Sequence, residues 1–327
     1  MTDLSRGLSL VLLICACLIP AGCLRSLPPA GNPGEGTFKK MMDIRADRFR
    51  RSYLVHLPPQ AADGEPLPLV VVIHGAFDSG KKMEALTGWS RIADREGFMV
   101  LYPNGMGLGS LFRHWNSGHC CGRAQALGID DVAFIETMID EVRERFAVDP
   151  RRVYIMGNSN GGMLTHHVAA RNTQLFAAAA VVSAAIGGRP TAEEEVWRVP
   201  EPQRPLPMML FHGRDDDIIP FEGGEDRRSK AGRTYLSVDE SARFWAEANG
   251  AADGPDEALL FGGQVTFSRW GGEASAPVLL YAIEDWGHVW PSRKTIKPKK
   301  HPQLDGFDAA ELAWDFFRGR TRPTAGE

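Results

Sequence analysis

Cysteine is nearly absent from the body of this 327-residue chain. Of its five cysteines, Cys15 and Cys17 lie in an apolar stretch at the amino end, Cys23 follows it, and only Cys120 and Cys121 fall in the remainder. A long-range disulfide framework is therefore excluded, and two adjacent thiols beside His119 lack the spacing with which cysteines chelate a metal. Adjacent cysteines join only through a strained local ring, so the pair reads either as packed free thiols or as a vicinal disulfide. Excess charge is missing too. A formal net charge of -4, with no run of Lys and Arg interleaved with aromatics, leaves no nucleic-acid footprint. The lysines Lys294, Lys297, Lys299 and Lys300 read as a solvated loop. No internal repeat recurs and no break in composition forces a second domain. What is present is 43% hydrophobic content, enough to bury a substantial core at this length.

The apolar run Leu8 to Ile19 is too short for an ordinary membrane-spanning helix. Preceded by Arg6 and followed by Pro20-Ala21-Gly22, it has the pattern of a secretory signal. Residues 1–23 are accordingly expected to be a signal peptide, and the protein to be exported, extracellular or periplasmic. Cys23 after Ala21-Gly22 also fits a bacterial lipoprotein signal, although Pro20 stands where that signal prefers leucine. Lipidation at Cys23, the one expected route to a membrane, and ordinary cleavage with release both stay open. Residues 24–50, with Pro and Gly frequent from Arg25 to Gly36, read as a leader or tether. Residues 51–320 read as one folded domain.

Within that domain short apolar runs alternate with helical patterns. Tyr53 to Leu57 reads as an early edge strand, and Leu69 to Ile73, Phe98 to Tyr102, Val153 to Met156, Pro207 to Phe211, Val265 to Arg269 and Val278 to Ile283 as further strands. Phe176 to Val182 is a strand candidate whose alanines leave helix open. Helices are expected over Met83 to Arg95, from Asp130 or Asp131 through Phe146, over Val238 to Ala248, and over Asp308 to Phe317. Nearly continuous apolar strands separated by helices predict an α/β fold, a mainly parallel sheet with helices on both faces. Between Gly105 and Gly128 lies a long Gly-rich loop, of a length more often functional than idle.

In such a sheet the chemistry belongs at the carboxyl ends of strands. Gly157-Asn-Ser-Asn-Gly161 has the spacing G-x-S-x-G, which places Ser159 on a sharp turn from strand to helix, where small neighbours let the backbone double back. The acidic run Asp215-Asp216-Asp217 follows a later strand, and His288 follows the last. That chain order, serine then aspartate then histidine, is the α/β-hydrolase order. A serine hydroxyl needs an imidazole to take its proton and a carboxylate to hold the imidazole tautomer. An oxyanion would be met by the backbone N–H of Asn160, just after the serine, and by that of Ala76 or Phe77 in the loop after His74-Gly75. His74 itself reads as a structural hydrogen-bonding residue.

His74-Gly75, Asp94-Arg-Glu-Gly-Phe98, Tyr102-Pro103, Asp130-Asp-Val-Ala-Phe134, Asp149-Pro-Arg-Arg-Val-Tyr154, Gly157-Asn-Ser-Asn-Gly-Gly162, His212-Gly213 and Gly287-His288-Val-Trp-Pro291 occur in order. Together they resemble the secreted polyhydroxybutyrate depolymerase and feruloyl esterase group of α/β-hydrolases, over roughly Arg51 to Phe317. The resemblance implies the α/β-hydrolase fold and hydrolysis of carboxylic esters through an acyl-enzyme, with no metal and no organic cofactor. It puts the triad aspartate at Asp216, and it departs from the usual pattern at Asn158, Asn160 and Asp217. The implied substrates are feruloyl (hydroxycinnamoyl) esters, short polyhydroxyalkanoate chains or acetylated sugars such as acetyl xylan, oligomeric or polysaccharide-linked. Trp115, Trp286 and Trp290 read either as lining an apolar or aromatic acyl pocket or as rings packed in the core. A serine peptidase of the same fold would ordinarily add a propeller or a pocket for a peptide terminus, and a silent binding protein would lack a triad member.

Overall fold

The apolar runs of the chain become the middle of one ten-stranded sheet. The computed structural model describes residues 38–46, 49–108, 111–226, 232–251, 253–272, 276–296 and 304–323. The chain falls into two units, Met1–Asn32 and Pro33–Glu327, and every described residue lies in the second. The expected signal segment, Cys23 with its two alternatives, and Lys297, Lys299 and Lys300 lie outside the described residues.

The sheet strands, in chain order, are β1 (Phe38–Ala46), β2 (Phe49–Leu57), β3 (Leu67–Ile73), β4 (Met99–Pro103), β5 (Val148–Asn158), β6 (Ala178–Val182), β7 (Met208–Gly213), β8 (Asp256–Leu260), β9 (Val265–Trp270) and β10 (Val278–Ile283). Their spatial order is β1-β2-β4-β3-β5-β6-β7-β10-β9-β8. The run from β4 to β10 is parallel, and an antiparallel pair flanks it on each side.

Alternation along each parallel strand sorts the core into two layers. Val71, Ile155 and Leu210 point to one face, where helices α4 (Asp131–Arg145), α5 (Asn160–Arg171) and α6 (Val238–Ala248) cover them. Val70, Val72, Tyr154, Met156, Met209 and Phe211 point to the other, under α1 (Gly80–Thr87), α2 (Trp89–Glu96) and α7 (Ala309–Arg318), while the short α3 (Gly122–Ala126) lies in the long loop after β4. Helix α7 is seated by stacked rings, Phe98 on Trp314 at 4.0 Å and Tyr154 on Phe317 at 4.9 Å. This is the α/β-hydrolase architecture, mixed at its edges.

Several expectations are corrected. The stretch Met83 to Arg95 is two helices, because Gly88 turns the chain with φ of 73°. Asp130 is the cap of α4, accepting the Ala133 N–H at 2.9 Å, whereas Asp131 is buried and paired with Arg51 at 2.6 Å. Residues 24–50 are not all leader. Strand β1 pairs with β2 from Phe38 to Ala46, and β2 itself begins at Phe49, so Tyr53 to Leu57 lies inside the sheet rather than at its edge. An antiparallel edge strand needs no continuous apolar run, which hides it from a reading based on hydrophobicity. The same holds for β8, whose Asp256 to Leu259 are exposed. Strand β6 is settled by parallel partners on both sides, which its small alanines permit.

Candidate active site

Ser159 stands between the end of β5 and the start of α5, with φ of 54° and ψ of -125°, a region that residues with side chains rarely occupy. Crowding explains the glycines around it. A Cβ on Gly157 would run into the Gly161 carbonyl and the Thr165 hydroxyl, and one on Gly161 into the carbonyls of His74 and Ile73. The helix can begin this close to the strand only with both side chains missing.

Strands β7 and β10 are neighbours with Gly213 level with Ile283, so the loops after them leave the sheet side by side. They are fastened together. The Trp286 carbonyl accepts the Asp215 N–H at 3.0 Å, Arg214 Nε donates to Glu284 Oε1 at 2.7 Å, and Gly213 leaves no room for a Cβ against Trp286. Of the three acids only Asp216 turns inward, while Asp215 and Asp217 are exposed. Its Oδ1 accepts the N–H groups of Ile218 and Ile219, each at 2.9 Å. Its Oδ2 accepts from His288 Nδ1 at 2.7 Å and faces His212 Nε2 at 3.3 Å. Burial would raise the carboxyl pKa, but the bonds from His212 and His288 outweigh it and hold Asp216 well below the usual carboxylate range. With Nδ1 donating, Nε2 of a neutral His288 is an acceptor, and Ser159 Oγ lies 2.8 Å from it. The structure thus brings Ser159, His288 and Asp216 into one hydrogen-bonded line. Such a line can move the hydroxyl proton onto the imidazole and stabilise the cation that forms.

The expected oxyanion donors divide. The Phe77 N–H is already given to the Arg113 carbonyl at 2.7 Å, which removes Phe77 from that role. The N–H groups of Ala76 and Asn160 have no hydrogen-bond partner among the described residues. Beneath them His74 accepts the Gly105 N–H on Nε2 at 3.0 Å and donates from Nδ1 to the Gly75 carbonyl at 2.6 Å. Burial pushes its pKa down to about 3, so the ring is neutral and serves as a brace for the loop.

The three tryptophans take the packed alternative. Trp115, Trp286 and Trp290 are all buried. The Trp115 indole N–H reaches the His74 carbonyl at 2.8 Å, and that of Trp286 the Val289 carbonyl at 2.8 Å. They support the loops from within, as large apolar rings with one polar handle do, and leave the open surface to others. Phe77 is 64% exposed, Phe112 57% and Val289 45%, with the Phe77 ring edge-on to Phe112 at 6.2 Å and to His114 at 4.5 Å. Phe112, like the side-chain roles of Asn160 and His212, carried no local signal in the sequence. Cys120 and Cys121 bring their sulfurs together in the loop that carries Trp115, whose carbonyl accepts the Cys121 N–H at 3.0 Å.

The family described as Esterase PHB depolymerase matches residues 51–197. Over those residues the chain is similar to esterases and depolymerases of the α/β-hydrolase superfamily. The chain is 28% identical over 288 residues to a putative esterase, NocK, of Nocardia uniformis, a match covering 82% of this chain and 79% of that one. It is 26% identical over 213 residues to a feruloyl esterase B of Piromyces equi, covering 63% of this chain but only 37% of that protein. An acetyl xylan esterase from Aspergillus awamori shares the fold with a TM-score of 0.55 at 17% identity, over 81% of this chain and 99% of that one. No helix among the described residues is long and apolar enough to cross a membrane.

Proposed function

We propose that this hydrolase is a serine carboxylic-ester hydrolase in which Ser159 is the nucleophile, His288 the general base and then acid, and Asp216 its orienting carboxylate. The observation that carries this reading is the line from Asp216 through His288 to Ser159, at 2.7 and 2.8 Å, ending on a serine held at positive φ. As Oγ attacks the ester carbonyl carbon, its proton passes to Nε2 of His288, and the carbonyl oxygen gains negative charge facing the N–H groups of Ala76 and Asn160. Collapse breaks the bond to the alcohol oxygen, which takes the proton back from Nε2. Water then attacks the acyl-enzyme, giving one proton to Nε2, and the second collapse returns it to Oγ and releases the acid.

The acyl side of the substrate is read as apolar, a hydroxycinnamoyl or short hydroxyalkanoyl group. Support comes from Phe77, one residue past the Ala76 donor, from Phe112 against it, and from Val289 beside the base, all of them open to solvent. An acetyl group would leave these surfaces unused. Export, with Cys23 as a lipid anchor or with release, belongs to the same reading and rests on the amino-terminal apolar run.

A panel of feruloyl, hydroxybutyrate-oligomer and acetyl-sugar esters, run beside a peptide amide, tests the substrate. Labelling with a serine-directed phosphonate followed by mass spectrometry tests the nucleophile. The label is expected on Ser159 alone, and Ser159→Ala is expected to lose ester hydrolysis by on the order of 10⁴-fold or more while folding normally. A label elsewhere ends the assignment.

A further inference from the structure

Asp216 is held by two imidazoles, and the triad accounts for only one of them. His212, buried at the end of β7, points Nε2 at Asp216 Oδ2 at 3.3 Å and at the Ile219 carbonyl at 2.9 Å. Both of those atoms only accept, so the ring proton sits on Nε2 and is shared between them. The Ile219 N–H in turn donates to Asp216 Oδ1 at 2.9 Å. His212, Asp216 and Ile219 therefore close a ring of two hydrogen bonds and one 3.3 Å polar contact that fastens the turn to the strand it leaves. Phe221 packs its ring edge-on to His212, 5.9 Å between centroids, and fixes the imidazole plane.

We propose that His212 is a positioning residue of the hydrolytic reaction: it shares the Asp216 carboxylate with His288 and aims that carboxylate at His288 Nδ1. The inference rests on the Ser159, His288 and Asp216 reading above. Two effects follow from the geometry. The first is alignment, because Asp216 sits on the turn after β7 and His212 ties its side chain back to that strand. The second is electronic. A carboxylate that spreads its charge over several donors binds the His288 proton less tightly than one relieved of a donor. The ionisable groups facing this pair are His288 from the loop after β10, Tyr235 from the short strand Thr234–Tyr235, and His166 from α5, which faces His212.

Replacement by a ring of similar size without the donor, His212→Phe, is expected to lower kcat on a small activated ester by roughly tenfold with little change in KM. That is well short of the roughly 10²–10⁴-fold contribution of a general base itself. The acid limb of kcat/KM is expected to move to higher pH, because the unshared carboxylate stabilises the His288 cation. His212→Gln, whose amide nitrogen reaches the place of Nε2, is expected to restore much of the rate and the wild-type limb, and His212→Asn, which falls short of that place, is expected not to. A His212→Phe enzyme with wild-type kcat and an unmoved limb overturns the proposal, as does equal activity of the Gln and Asn variants, which also decides the matter if the Phe variant does not fold. Phosphonate labelling of the wild type separates the two levels: without a label on Ser159 the triad reading fails, whereas a labelled Ser159 with an indifferent His212 sinks only the role of His212.

Discussion

The side chain of Asn160 and the main chain of Trp115 exchange two hydrogen bonds: Oδ1 accepts the Trp115 N–H at 2.7 Å, and Nδ2 donates to the Trp115 carbonyl at 3.0 Å. The residue after Ser159 thus clamps the long loop after β4 onto the turn that carries the serine. Its backbone N–H has no partner among the described residues, and its amide does a structural task that an alanine at this place cannot do. The clamp continues outward, since Asn116 N–H donates to Asp131 Oδ2 at 2.7 Å and Asp131 pairs with Arg51.

Asn160→Ala is therefore expected to destabilise the fold by about 1–3 kcal/mol, the usual cost of leaving buried polar groups unpaired. Activity should fall as well, although the Asn160 backbone donor remains. Thermal and urea unfolding measure the first effect and kcat on a small ester the second; a variant as stable as the wild type would show that the clamp contributes nothing.

Among the three consecutive acids, Asp216→Asn is expected to cost roughly 10⁴-fold in kcat, by analogy with the carboxylate of a serine protease triad. The exposed Asp215 and Asp217 should each tolerate Asn within a few-fold. Parallel kinetics on the three folded variants check the register, and a larger loss at either neighbour would reassign the carboxylate.

Phe77 and Phe112 present exposed apolar surface beside Ala76, so on the proposed reading their joint replacement by alanine should act on the acyl group rather than on the chemistry. For feruloyl or hydroxybutyryl esters kcat/KM is expected to drop by about 10–100-fold, the scale of a few lost apolar contacts, with a change of less than about threefold for an acetyl ester. Equal losses on both substrates would place the two rings outside the acyl site.

Three buried imidazoles, His74, His119 and His166, are each pushed down to about 3 from an ordinary value of 6.5, in every case mainly by burial. The unfolded chain takes up these protons below about pH 6.5 and the folded chain does not, so stability is complete above that value and declines as pH falls from about 6.5 towards 3. Asp216, held low, adds its own loss only below the ordinary carboxylate value of 3.8. The melting temperature is expected to fall steadily between about pH 6.5 and about pH 4. A flat profile across that interval would mean that these rings are not buried in their neutral form.

Much of this molecule is written in consecutive residues. Leu69 to Ile73 and Met208 to Phe211 can be read directly from their unbroken apolar character, and they become buried strands because every residue in them has a core face to meet. Gly157 and Gly161 mark the turn at Ser159 because the collisions they avoid are with atoms brought there by the turn itself and by the adjoining strand end. The place of His288 beyond the last parallel strand follows from the same local logic. Tertiary structure alone decided that the Phe77 N–H is taken by Arg113, that Asn160 bonds to Trp115 across 45 residues, and that the three tryptophans lie inside while Phe112 lies outside. Strand propensity and turn sterics act between neighbours in the chain, whereas a donor is free or engaged, and a ring buried or open, according to partners that only the completed sheet brings within reach.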